Sequence, residues 1–273
     1  MTSDAADPGS DALWYPPADR VRCSRMRSFI TTAAAHGGGE LADTAALHRW
    51  SVERPEEFWR LALGELLPAV DDSGPVWERG AHMADVRWFP EVSMNVAEQI
   101  LAAGPPDGLL AVAVDERGRR RELTRAEATA EVGRVAAALR AAGVGVGDRV
   151  VAWLPNTIET VLLMLGAASI GAVFSSSSPD FGADGVLDRF AQITPTVLVA
   201  ADGYTYGGRA FDRTPELATV IEGLPTLRQV VVVPFLRDDP DLSGVPGSPA
   251  TWDDWLEPFR GAVVEFVPLP FDH

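Results

Sequence analysis

Residues 148–176 read DRVVAWLPNTIETVLLMLGAASIGAVFSS, and the order of patterns within them decides the fold. The run RVVAWL is short, apolar and rich in valine, which favours a strand buried on both faces. Pro155 and Asn156 break it. Asn156 is then placed to cap a helix through residues 158–169, with Glu159 at its third position. GAVFS at 171–175 reads as the next strand. A strand, a helix and a strand in this order form a βαβ unit, which implies parallel pairing through a crossover.

The same alternation extends in both directions. Upstream, LLAVAVDERGRRREL reads as two short strands around a polar turn,. TRAEATAEVGRVAAALRAAG then opens with Thr124 and Glu127 at capping-box spacing, carries Val132, Val135, Ala136 and Leu139, and stops at Gly143,. Downstream, ADGVLDRFAQI predicts a helix, TVLVA a strand, residues 212–223 a helix, and RQVVVVP a strand. TWDDWLEPF predicts a short helix with Thr251 and Asp254 at capping positions, and AVVEFVPL a closing strand,. The expected fold class is α/β, a mostly parallel sheet with helices on both faces built from repeated βαβ units. Ligands of such sheets lie at the carboxyl ends of the strands. Both the SSSSPDFG loop at 175–182 and ADGYTYGGR at 201–209 leave such ends.

The N-terminal third differs. Residues 1–12 are small, acidic and proline-containing, a composition that favours disorder,. Residues 13–107 read as an aromatic-rich, mainly helical and extended segment that packs on the main domain of residues 108–273. A helix is expected from about Pro55, and a second from about Asn95, with Asn95 and Glu98 at reciprocal capping spacing,. Trp59 and Trp88 read as packing residues.

The 273 residues are 47% hydrophobic, enough for a substantial core, and carry a formal net charge of −16,. That charge argues against general nucleic-acid binding, which depends on clustered cations. All 23 basic residues are arginine. Any chemistry requiring a lysine of this chain is therefore excluded. Cys23 is the single cysteine, so an internal disulfide and a cysteine zinc cluster are both excluded, in keeping with a cytoplasmic protein,. No secretory leader or membrane span is expected. His36, His48, His82 and His273 show no metal-binding spacing, so no metal site is expected.

Most candidate motifs fail on context. GVGVG at 143–147 follows a helix and precedes a strand, the reverse of a dinucleotide fingerprint,. No G-x-S-x-G nucleophile elbow occurs,. The stretch Tyr206, Gly207, Gly208, Arg209 is more informative. Its glycines permit close backbone approach, and Arg209, expected near the start of the next helix, offers a planar fork suited to phosphate. A turn with a surface arginine explains the same residues.

Several of these segments, in order, resemble the AMP-forming acyl-CoA synthetases. They are FW at 58–59, WFPEVSMNVAEQIL at 88–101, the stretch from 143 to 176, and ITPTVLVAADGYTYGGR at 193–209. FSSSSPDFG followed by DGYTYGG looks most like the acetoacetate-activating branch of that family. The resemblance implies adenylation of a carboxylate by MgATP and transfer of the acyl group to CoA. It implies cytoplasmic action on small molecules, without a nucleic-acid or membrane partner. It also assigns the segment from Tyr206 to Arg209 to the CoA nucleotide, with Arg209 near its 3′-phosphate. The family often has a second arginine where this chain has Tyr206.

The family's lysine-ended ATP loop and its mobile C-terminal domain have no counterpart in these residues. The expectation is therefore an incomplete large domain, stopping before the ATP site. Such a chain would hold no catalytic residue and be inactive without the remainder of the enzyme. The alternatives are a non-catalytic CoA- or nucleotide-binding module or scaffold, or a ligase for acetate or another short-chain acid.

Overall fold

A computed structural model describes residues 13–67, 70 and 73–273. The disorder expected over residues 1–12 lies outside the described residues. The chain forms two compact units, Met1–Val92 and Ser93–His273.

In the first unit, α1 (Ala18–Arg22), α2 (Arg25–Ala33), α3 (Thr44–Glu53) and α4 (Pro55–Leu66) precede a small antiparallel ribbon, β1 (Trp77–Glu78) with β2 (Arg87–Trp88). Helix α4 begins at Pro55, where a missing N–H costs nothing,. Ile30, Ala33, Leu47 and Trp50 are buried together, with Phe29, Phe58 and Leu61 against them. Edge-to-face rings continue from Phe58 to Trp59 and from Trp59 to Trp88, 5.1 and 5.5 Å between centroids. Trp59 and Trp88 thus pack against each other inside this unit.

The second unit is the α/β layer structure. It runs α5 (Val96–Ala102), β3 (Leu109–Val114), β4 (Arg120–Thr124), α6 (Arg125–Ala141), β5 (Arg149–Trp153), α7 (Ile158–Ser169), β6 (Val173–Ser177) and α8 (Ala183–Phe190). It continues with β7 (Val197–Ala201), β8 (Gly203–Tyr206), β9 (Arg209–Asp212), α9 (Thr214–Glu222), β10 (Gln229–Val233), β11 (Ala250–Thr251) and α10 (Trp252–Leu256). The main sheet has the order β11-β10-β7-β5-β6, and every pair is parallel. Strands β3 and β4 form a separate antiparallel hairpin, as do β8 and β9.

Continuous apolar strands are explained by burial on both faces. Val150, Ala152, Val197, Val199, Val231 and Val233 join one core with residues of α5, α6, α7 and α10. Val151, Trp153, Leu198, Ala200 and Val232 join another with Val186 and Phe190 of α8 and Leu217 and Val220 of α9. Gly166 allows α7 to lie close on α6: a Cβ there would sit 2.4 Å from Val135 Cγ1.

Helix starts follow the capping expectations except at Asn95, which caps α5 without a reciprocal bond from the Glu98 side chain among the described residues, and at Asn156. Thr124 and Glu127 form the reciprocal capping box, and Thr251 accepts from the Asp254 N–H. Asn156, however, does not cap α7; Thr157 holds that position, and Asn156 turns toward a crevice described below. Proline at 155 delays entry by one residue, since the backbone after it first makes a tight turn with Thr157 N–H donating to the Pro155 carbonyl. AVVEFVPL is also not a strand. Residues 262–269 run as an irregular strap, with Val267 N–H donating to Ser169 and Leu269 exchanging two backbone bonds with Met94. Its hydrogen-bonding groups are taken by a helix end and a loop instead of a sheet edge.

The backbone N–H and hydroxyl of Thr124 hold the Glu127 carboxyl below the usual carboxylate range. Its contribution is therefore complete above the unfolded value and is lost as pH falls through the lower, folded value. Glu127→Gln should lower stability near neutrality, where the carboxylate's contribution is complete, and change it little at acid pH,. It should also flatten the acid limb of a stability–pH profile measured by urea titration between about pH 2 and 5. An unchanged acid limb would remove the capping carboxylate from this account.

Candidate functional site

The sheet order places a switch point between β5 and β7. The chain leaves β5 toward β6 on one side and returns to β7 on the other. Loops diverge at such a point and open a crevice at the carboxyl ends. A crevice of about 420 Å³ lies there. Residues 155–159 after β5, Thr205 of β8, Val233 at the end of β10 and Pro234 and Phe235 after it form part of its wall. The rest comes from the β3–β4 hairpin, including Asp115, Glu116, Arg119 and Arg121. Arg121 Nη1 donates to Glu159 Oε1 at 2.7 Å. The Arg119 guanidinium beside Asp115 holds that carboxyl below its ordinary value.

The turn of the β8–β9 hairpin carries the four residues singled out in the sequence. Tyr206 and Arg209 face each other across the ladder, joined by Gly207 and Gly208 at φ 58° and 75°. Two consecutive positive φ values define the tight hairpin turn that matches strand twist, and glycine adopts them without strain. Arg209 therefore begins strand β9. It is not at a helix start, because the turn folds the chain back before α9 opens at Thr214. Tyr206 and Arg209 are exposed, and the Arg209 guanidinium makes no hydrogen bond or ion pair among the described residues. The Gly207 N–H donates to Glu116 Oε1 at 3.0 Å, and the Gly208 N–H to Glu116 Oε2 at 3.4 Å.

Arg213 joins the two sequence-predicted loops. Its Nε donates to the Pro179 carbonyl at 2.8 Å, and its guanidinium lies 5.3 Å from the centre of the Tyr204 ring. Tyr204 in turn stacks on Phe211. The serine loop and the hairpin are thus held side by side at the carboxyl ends of β6 and β7. Of the serines, Ser177 is buried with its hydroxyl unpartnered, and Ser176 and Ser178 are exposed. The sequence identified both loops but not Arg213 or Glu116. The spacing of 91 residues between Glu116 and Gly207 leaves no local signal.

Two N–H groups and an unpaired guanidinium on one turn suit a phosphate oxygen. No three of histidine, cysteine, aspartate and glutamate are grouped to hold a metal ion among the described residues. Nor is any helix among them long and apolar enough to cross a membrane.

Residues 102–263 match the family described as AMP-binding enzyme, a span covering the whole sheet and both hairpins. The chain belongs to the AMP-binding enzyme family. It is 40% identical over 265 residues to an acetoacetyl-coenzyme A synthetase of Rhizobium meliloti (strain 1021), covering 96% of this chain. It is 37% identical over 279 residues to an acetoacetyl-CoA synthetase of Gallus gallus, covering 97%. A solved structure of acetoacetyl-CoA synthetase from Streptomyces lividans matches with a TM-score of 0.83 and 38% identity over 96% of the chain. The α/β arrangement of this chain is therefore that of a solved relative. The chain spans about 40% of the length of these relatives.

Proposed function

We propose that this chain is the CoA-facing leading portion of an acetoacetate–CoA ligase. The complete enzyme would convert acetoacetate, MgATP and CoA to acetoacetyl-CoA, AMP and diphosphate. Likeness to acetoacetyl-CoA synthetases along nearly the whole chain carries this reading. Within it, the hairpin turn formed by Tyr206, Gly207, Gly208 and Arg209 receives the CoA nucleotide. The exposed and unpaired Arg209 guanidinium meets the 3′-phosphate, and Tyr206 offers a ring to the adenine. The residues fit that ligand: the two glycine N–H groups already hold a carboxylate, that of Glu116, and an exposed planar cation follows them on the same turn,.

The adenylation chemistry belongs to the remainder of the longer enzyme, which is this chain's expected partner. Activation of a carboxylate by ATP depends on positioning and neutralising phosphates. The lysine that the family resemblance places on ATP cannot come from a sequence without lysine. The chain alone is therefore expected to release no pyrophosphate from ATP with acetoacetate.

Calorimetric titration with CoA and with dephospho-CoA, which lacks the 3′-phosphate, tests the binding role. CoA should bind more tightly than dephospho-CoA. Arg209→Ala should remove that preference, a loss of about tenfold for one charge-assisted contact. Equal binding of the two ligands by the unaltered chain would reject the assignment.

A further inference from the structure

We propose that the Gly207–Gly208 turn is an anion-binding site which the chain's own Glu116 occupies, so that a phosphate group must displace this carboxylate to bind. The assignment of the displacing phosphate to CoA rests on the function proposed above; the site itself rests on the hairpin geometry.

Glu116 belongs to the turn between β3 and β4, and its carboxylate reaches across to a different hairpin. There each oxygen takes one glycine N–H, at 3.0 and 3.4 Å. This is bidentate capture of an anion by successive backbone donors. Neither glycine is needed for packing, since a Cβ at either would meet nothing within 4 Å. Both are needed for backbone shape, because positive φ at each turns the two N–H groups toward the same side,.

Among the described residues the carboxylate has no side-chain cation as partner. Neither Arg209 nor the adjacent Arg117 forms an ion pair with it among the described residues, whereas Arg119 is engaged by Asp115. A structural carboxylate would gain from such a pair. Here the acid is held by the two N–H groups alone on an exposed surface, so its hold is weak and reversible,. A phosphate monoester carries more charge and more acceptor oxygens than a carboxylate. It could take both N–H groups and the Arg209 guanidinium together.

The consequence is a threshold: weakly charged ligands fail to displace Glu116, and a phosphate succeeds. Glu116 also lines the switch-point crevice. Its release would alter the hairpin wall of that crevice whenever the turn is filled.

The test follows the Gly207 and Gly208 amide resonances of the isotopically labelled full chain during titration with inorganic phosphate. Glu116→Gln preserves shape and removes charge. It should lower the phosphate concentration at half-shift by about three- to tenfold, the scale of one exposed charge-assisted contact. Glu116→Asp, shorter by one methylene, should fall between Glu116→Gln and the unaltered chain. Identical midpoints in all three, or no shift of either glycine, would overturn the proposal. The CoA assignment fails separately. If Arg209→Ala leaves the preference for CoA over dephospho-CoA intact while Glu116→Gln still tightens phosphate, the site stands and the ligand is wrong. If Arg209→Ala removes that preference and Glu116→Gln changes nothing, the ligand stands and the displacement is wrong.

Discussion

Asn95→Asp should be among the most destabilising single-atom changes available to the second unit, and its cost should depend on pH. Asn95 is fully buried. Its Oδ1 accepts from the Ala97 and Glu98 N–H groups, capping α5. Its amide Nδ2 reaches the carbonyls of Ala168, Ser169 and Val267, at 2.9, 3.1 and 2.8 Å. One side chain thus joins the start of α5, the end of α7 and the C-terminal strap.

Aspartate keeps the cap and gains up to about 1 kcal/mol from charge at a helix start. Against that, it turns an oxygen toward three carbonyl oxygens and buries a charge with no cation. That cost is about 3–5 kcal/mol and wins. Asn95→Ala loses the cap and the bridge without burying a charge, and should cost less, about 2–4 kcal/mol. The introduced carboxyl would have its folded-state pKa raised above its unfolded value near 3.9. Its neutral form is the one the fold tolerates. The penalty should therefore be complete above the folded value and shrink as pH falls toward about 4. Urea denaturation of the full chain at pH 8 and pH 4.5, with hydrogen exchange read on α5 and α7, measures both effects. An aspartate variant as stable as the unaltered chain at pH 8 would show that the amide does not face those carbonyls.

Asn95 also shows how far the sequence could be read. Its cap was legible, because Asn followed by an apolar helix is a local signal. Its bridge to Val267 was not, because the contact spans 172 residues. The same division holds elsewhere. Strands β5, β7 and β10 were legible because burial on both faces leaves continuous valine and alanine runs. The strap at 262–269 has the same apolar composition but runs beside α7, and composition alone does not distinguish the two. In the candidate site, Gly207 and Gly208 announce the turn, but the sequence places Arg209 near the next helix and misses strand β9, because nothing local distinguishes a loop from a short hairpin. Glu116 lay in an ordinary polar turn. It entered the site only when the β3–β4 hairpin was placed beside β8.

Asp202→Ala should cost about 3–5 kcal/mol and loosen one wall of the crevice. Asp202 follows β7 and is fully buried. Its Oδ1 accepts from the Phe235 and Leu236 N–H groups at 2.8 and 2.9 Å, and its Oδ2 from Arg237 N–H at 3.0 Å. The Arg237 guanidinium lies 3.7 Å away. The three donors belong to the turn that follows β10, and this turn supplies Pro234 and Phe235 to the crevice. Alanine leaves three backbone N–H groups without an acceptor, each worth about 1–3 kcal/mol if it stays buried, with partial access of water reducing the sum. Asp202→Asn keeps one oxygen for Phe235 and Leu236 but presents an amide N–H to the Arg237 N–H. It should cost about half as much as alanine. The order of the two variants is the discriminating result. It separates a carboxylate that organises the turn from one that merely pairs with Arg237, for which both variants would lose equally. Hydrogen exchange at residues 235–237 should accelerate in both variants, and more in alanine. If the asparagine variant exchanges and melts like alanine, the ion pair dominates and the turn is held by other contacts. If neither differs from the unaltered chain, the crevice wall does not depend on Asp202.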